Sequence, residues 1–103
     1  MKEIIGGKRY DTDTAEKLAS WSNDYPVSDF KSCSEALYRT KAGAYFIAGS
    51  GGPLSRYAHS AGDHTTGGEG IRVATREEAY AWCEGRGECA AIEAHFSDMV
   101  SDG

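Results

Sequence analysis

His59 and His64 flank Gly62-Asp63, a few residues after Ser55, Arg56 and Tyr57. Histidine works as general acid and base near neutral pH, and two histidines with an arginine form the side-chain set of a metal-free nuclease. No spacing rule makes these two converge, so no residue is assigned as catalytic. Just upstream, Gly49-Ser50-Gly51-Gly52-Pro53 is a turn whose backbone N–H groups could cradle a phosphate if a helix began behind it. The Lys-Ser/Thr ending of a P-loop is absent and any following helix would be very short. A sharp corner is therefore the simpler reading. The ligand-binding alternative groups Arg39, Gly51, Gly52, Arg56, His59 and His64 as the site of a small hydrolase or a nucleotide or phosphate binder.

Cys33, Cys83 and Cys89 form an odd set with no CxxC pair, which argues against a disulfide framework. Cys83 and Cys89 could approach each other, but a zinc site needs two more ligands and none stands at ligand spacing. No metal and no cofactor is expected, and the thiols read as small buried side chains. Cys33 with His59 or His95 lacks the third residue that a nucleophile pair requires.

Charge is the other chemical resource. The net charge is −5, and residues 51–103 carry nine acidic groups against four basic ones. From Glu77 to Asp102 there are seven carboxylates and one arginine, Arg86. Such a field disfavours direct nucleic-acid binding, which needs clustered Lys and Arg. It suits either a solvated helical surface or a patch that attracts a basic protein, with Glu77, Glu78, Glu84, Glu88 and Glu93 as its contributors.

The elements that must position these groups fit one domain of 103 residues, 40% hydrophobic and 26% charged. Lys2–Ile5 and Lys8–Asp11 read as strands around Gly6-Gly7. Asp13-Thr14-Ala15-Glu16 resembles a capping box, and Ala15, Leu18, Ala19 and Ser22 have helical spacing, which predicts a helix to about Asn23. The clearest element is a β-hairpin from Ser34 to Gly49, with arms 35–40 and 44–48 around Lys41-Ala42-Gly43. One of its faces should hold Leu37 with either Phe46 or the Tyr45/Ile47 pair; Tyr38 and Tyr45 could together form a stacking surface. Leu54–Ser60 has room for one helical turn, Gly62–Gly70 reads as a loop, and Ile71–Val73 as a last strand. Thr75-Arg76-Glu77-Glu78 opens a helix with Ala79, Trp82 and Cys83 on one face, ended by Gly85 and Gly87. A final helix from about Glu88 carries Ile92, Phe96 and Met99. Trp21 and Trp82 are placed on helix faces as packing residues. The expected class is α+β, a small antiparallel sheet built from hairpins with helices packed on one face. No apolar run reaches membrane-spanning length, and the first seven residues are too short for a signal peptide, so a cytoplasmic location is expected.

The pattern Tyr10-Asp11-Thr12 with Thr14-Ala15, then Glu35 through Lys41, Gly43 with Tyr45-Phe46, Gly49 with Gly51-Gly52, Ser55 with Tyr57, and Glu78-Ala79 with Trp82 resembles a widespread family. Its members are small uncharacterised proteins of prokaryotes and mobile elements, and the likeness covers residues 4–100. The resemblance implies a shared fold and carries no catalytic residue across. By analogy of size, charge and setting, it implies an acidic, non-enzymatic protein-binding module, an inhibitor of the anti-CRISPR type acting on a nucleic-acid-handling host complex.

Overall fold

In chain order the computed structural model, which describes all 103 residues, contains strands β1 (Lys2–Ile5), β2 (Lys8–Asp11), β3 (Glu16–Ser22), β4 (Cys33–Arg39), β5 (Tyr45–Gly51), β6 (His59–Ala61), β7 (His64–Thr66) and β8 (Gly68–Ala74). Helices α1 (Arg76–Gly85) and α2 (Cys89–His95) follow, with a 3₁₀ turn at Ser97–Met99. The class is α+β. Strands β3, β4, β5 and β8 form an antiparallel sheet in the order β3-β4-β5-β8, while β1–β2 and β6–β7 are separate hairpins.

The central hairpin is β4–β5, paired from Arg39↔Tyr45 to Cys33↔Gly51. Gly43 takes φ +90° in its connection, a conformation that costs a residue with a Cβ more than it costs glycine. Strand alternation then sorts the side chains onto two faces. Leu37, Tyr45, Ile47 and Ala74 pack against Ala79, Trp82, Cys83, Ala91 and Phe96 of the helical layer. Tyr38, Phe46 and Ala48 point the other way, onto Tyr10 of the β1–β2 hairpin. There Tyr38 stacks on Phe46 with ring centroids 5.1 Å apart, and Tyr10 meets Phe46 edge-on at 5.6 Å. Tyr38 and Tyr45 thus lie on opposite faces, both buried, and make no joint stacking surface. Register decides this: they are one residue out of phase across the pair, and alternation separates them.

One expected helix is a strand. Residues 16–22 form β3, paired to β4 from Glu16↔Arg39 to Ser22↔Ser34, with a bulge between Lys17 and Ala19. The bulge resets the alternation, so that Leu18, Ala19 and Trp21 all pack against the helix-side core. That spacing mimics a helical stripe. Glu16, the supposed capping residue, instead binds Arg39 at 2.8 Å. Trp21 accordingly stands on a strand. The segment after Pro53 is a series of turns leading into β6, and residues 62–70 contain β7 and the start of β8.

The capping box at Thr75 forms in full. Glu78 N donates to Thr75 Oγ1 at 3.1 Å, and Thr75 N donates to Glu78 Oε1 at 2.9 Å. Thr75→Ala is expected to cost about 1 kcal/mol of unfolding free energy, with Thr75→Ser near wild type, as read by urea denaturation. No helix is long and apolar enough to cross a membrane.

Both strands of the central hairpin are interior to the sheet, so its outer edges are β3 and β8. Association through the hairpin's own edge is closed off. At the β8 edge, Ile71 N is already taken by Glu3 Oε2 at 2.7 Å.

Candidate functional site

On the helix-facing side, pairing aligns Trp21, Glu35, Gly49 and Gly70 in one row across β3, β4, β5 and β8. Cys33, Gly51 and Gly68 form the next row. The glycines leave that end of the sheet bare, and no helix covers it. The chain from Gly52 to Ala58 lies there instead, with the Tyr57 ring directly over Gly49 and the Ser55 side chain over Gly51. Gly52 is hemmed in by the Phe30 and Asp29 carbonyls. These are glycines of close approach rather than of unusual backbone angle.

Beside Gly49 stands Glu35, whose side chain is fully buried. Tyr57 Oη donates to Oε2 at 2.5 Å and Arg72 Nη1 donates to the same oxygen at 3.1 Å. Trp82 Nε1 donates to Oε1 at 3.0 Å and Arg86 Nη2 at 2.6 Å. Arg56 Nη1 stands 3.5 Å from Oε2 as a third cation. Arg86 comes from the C-terminal cap of α1, and its guanidinium packs over the rings of both Trp21 and Trp82, 4.6 and 5.0 Å from their centroids.

Burial by itself would raise the Glu35 pKa. The hydrogen bonds from Tyr57, Trp82 and Arg72, with the charge of Arg72, outweigh it and hold the carboxyl at about 2. Burial and the neighbouring Glu35 push Tyr57 up to about 12, so it stays a donor. A carboxylate with four donors, no exposure and such a low pKa is a poor general acid or base. Its role is to tie four elements together, since β4, β8, α1 and the Tyr57 loop all converge on it.

Arginine is in excess here. Two unit charges about 6 Å apart repel by roughly 3 kcal/mol at an effective dielectric constant near 20. Arg56 and Arg72 both approach Oε2 of one carboxylate, and one structural ion pair needs only one of them. Together with Arg86 they border a hollow of about 360 Å³ between β8 and α1, whose other walls include Ile47, Val73 and Trp82.

The ligand-site residues nominated from sequence are only partly assembled. Gly51, Gly52 and Arg56 belong to this corner. Gly52 N donates to the Ser32 carbonyl and Gly51 is paired within the sheet, so the turn's N–H groups are not free to cradle a phosphate. Arg39 lies at the opposite end of β4, bound to Glu16. His59 and His64 occupy the β6–β7 hairpin, both exposed, with separate neighbours: His59 Nε2 is 3.2 Å from Thr66 Oγ1 and His64 Nδ1 is 3.4 Å from Asp63 Oδ1. Cys33 is buried, and burial with the nearby Glu35 pushes its thiol up, away from a reactive thiolate. Burial likewise pushes Cys83 to about 11.

Among the acidic candidates, Glu77, Glu84 and Glu93 are exposed. Glu84 accepts from Tyr80 Oη at 2.8 Å. Glu78 is occupied by the Thr75 cap, whose N–H and hydroxyl hold its carboxyl below the ordinary range. Glu88 is the half-buried residue that precedes α2.

Sequence reasoning missed Glu35, Arg72 and Arg86 as a cluster. One signal was legible: in Cys33-x-Glu35-x-Leu37, a glutamate occupies an inward position of an alternating strand, and an inward charge demands partners. Which partners answer could not be read from spacing, since Arg86 lies 51 residues away. Comparison with protein-family models, curated proteins and solved structures finds no match to this chain.

Proposed function

We propose that the protein is a non-enzymatic binding module whose partner is a protein with a basic surface. The observation that carries this reading is the inward turn of Arg86. It is the only lysine or arginine between Glu77 and Asp102, and it is spent on Glu35 inside the fold. Arg76, the other arginine of the helical layer, is held by Asp98 at 2.6 Å. Glu77, Glu84 and Glu93 are therefore left without a cation within ion-pair distance, on one helical layer of the molecule.

An unneutralised acidic surface raises encounter rates with a basic groove and repels nucleic acid. A groove that otherwise holds nucleic acid is the natural target, which makes an inhibitor of a nucleic-acid-handling complex, anti-CRISPR-like in action, the finer form of the proposal. The chemistry of the polar corner supports a non-catalytic role, because its one buried carboxylate is saturated with donors.

The test is a triple reversal, Glu77→Lys, Glu84→Lys and Glu93→Lys. With a partner captured from the host and then purified, association of the wild type should fall steeply with added salt. The variant should associate about tenfold more slowly at low ionic strength, with a flatter salt dependence. Equal rates and equal salt slopes for the two proteins would remove the acidic surface from the mechanism.

A further inference from the structure

The corner around Glu35 holds more cation than its carboxylate neutralises, and most of the arginine donors there are unused. Arg56 donates no hydrogen bond at all, standing 3.5 Å from Glu35 with half of its side chain exposed. Arg72 uses Nη1 alone, toward Glu35 and Tyr57. Arg86 uses Nη2 alone, and its buried Nε has no acceptor. All three arginines line the same hollow, which has an apolar wall of Trp82, Ile47 and Val73. Glu78 is the one acidic residue on its lining, and its carboxylate accepts from Thr75 N.

We propose that this hollow between β8, α1 and the Arg56 loop binds the oxyanion, carboxylate or phosphate, of a small ligand whose apolar body lies on the exposed Val73. Guanidinium forks match both anions with paired N–H donors, and an anion here supplies the negative charge that Glu35 alone cannot. Arg86 is pre-organised for the task, since Trp21 and Trp82 both pack against its guanidinium and Glu35 fixes one nitrogen. Arg72 is fixed by Glu35 and Tyr57. Arg56 is the arginine with least to lose by swinging onto a ligand. The site is distinct from the acidic helical surface, and either proposal can fail without the other.

The two tryptophans of the chain both flank Arg86, so tryptophan emission, excited at the red edge where tyrosine does not absorb, reports on this corner. Full-length protein would be titrated with inorganic phosphate, acetate and adenosine monophosphate, with ionic strength held constant by chloride. Emission is expected to change saturably with phosphate or acetate. The anion that saturates identifies the headgroup, and tighter binding of the nucleotide than of phosphate places an apolar body on the Val73 wall. Arg56→Ala should weaken binding about tenfold or more while lowering the melting temperature far less than Arg86→Ala does, because Arg56 is half exposed and its contacts in the fold are one long ion pair to Glu35 and the Tyr57 ring. An emission change that never saturates with either anion overturns the proposal. So does an Arg56→Ala titration that superimposes on the wild type.

Discussion

Glu35→Ala is expected to lower the unfolding free energy by about 3–5 kcal/mol, the range for removing one partner of a buried ion pair. The loss is large because the carboxylate is shared. Without it Arg86 stays packed against two tryptophans with no anion, and the Trp82 and Tyr57 donors lose their acceptor. Glu35→Gln, which keeps shape and one acceptor oxygen but no charge, should recover part of the loss. Guanidinium chloride denaturation at neutral pH measures both. A wild-type midpoint for Glu35→Ala would show that the network contributes nothing net.

The same residue sets an acid limb. Its pKa is about 2 in the folded protein against an ordinary value of 4.5, so the unfolded chain binds the proton more readily. The resulting stability is fully present above pH 4.5 and is lost as pH falls through the folded value near 2. A difference of that size corresponds to about 3 kcal/mol, more than half of it gone by pH 3. The stability gap between wild type and Glu35→Gln should therefore narrow on going from pH 6 to pH 3. A gap independent of pH would mean that Glu35 is not ionised through specific contacts in the native state.

Gly49→Ala is expected to cost about 2–4 kcal/mol, far more than a glycine of ordinary backbone angle in a strand would suggest. A methyl group there would overlap the Tyr57 ring, which would have to leave its seat and give up its hydrogen bond to Glu35. Tyr57→Ala should cost a similar amount. The two should not add: once the ring is gone, the methyl group has room, and Gly49→Ala in the Tyr57→Ala background should cost less than about 1 kcal/mol. Full additivity in urea denaturation of the four proteins would mean that Gly49 matters for some reason other than Tyr57.

The β1–β2 and β4–β5 hairpins, the capping box at Thr75 and the α+β class were legible because each rests on local rules, whereas the β6–β7 hairpin reads from sequence as a loop. Gly6-Gly7 provides positive φ at both turn positions, +58° and +79°, and Thr75 and Glu78 are three residues apart. The segment 16–22 was misread as a helix because a bulge after Lys17 imitates the 3.6-residue period, and only pairing with β4 distinguishes the two. The same limit governs the site. Alternation along β4 was enough to place Glu35 in phase with Leu37, so a buried charge was implied by sequence alone. The donors that satisfy it come from positions 57, 72, 82 and 86, on a loop, an edge strand and a helix. Their convergence is set by sheet order and by the bare glycine row that admits Tyr57, which are properties of long-range packing with no fixed spacing in the chain. The acidic half was visible as composition, but that Arg86 turns inward and leaves those carboxylates unpaired was decided by the tertiary fold, where one buried glutamate outcompeted solvent for the guanidinium.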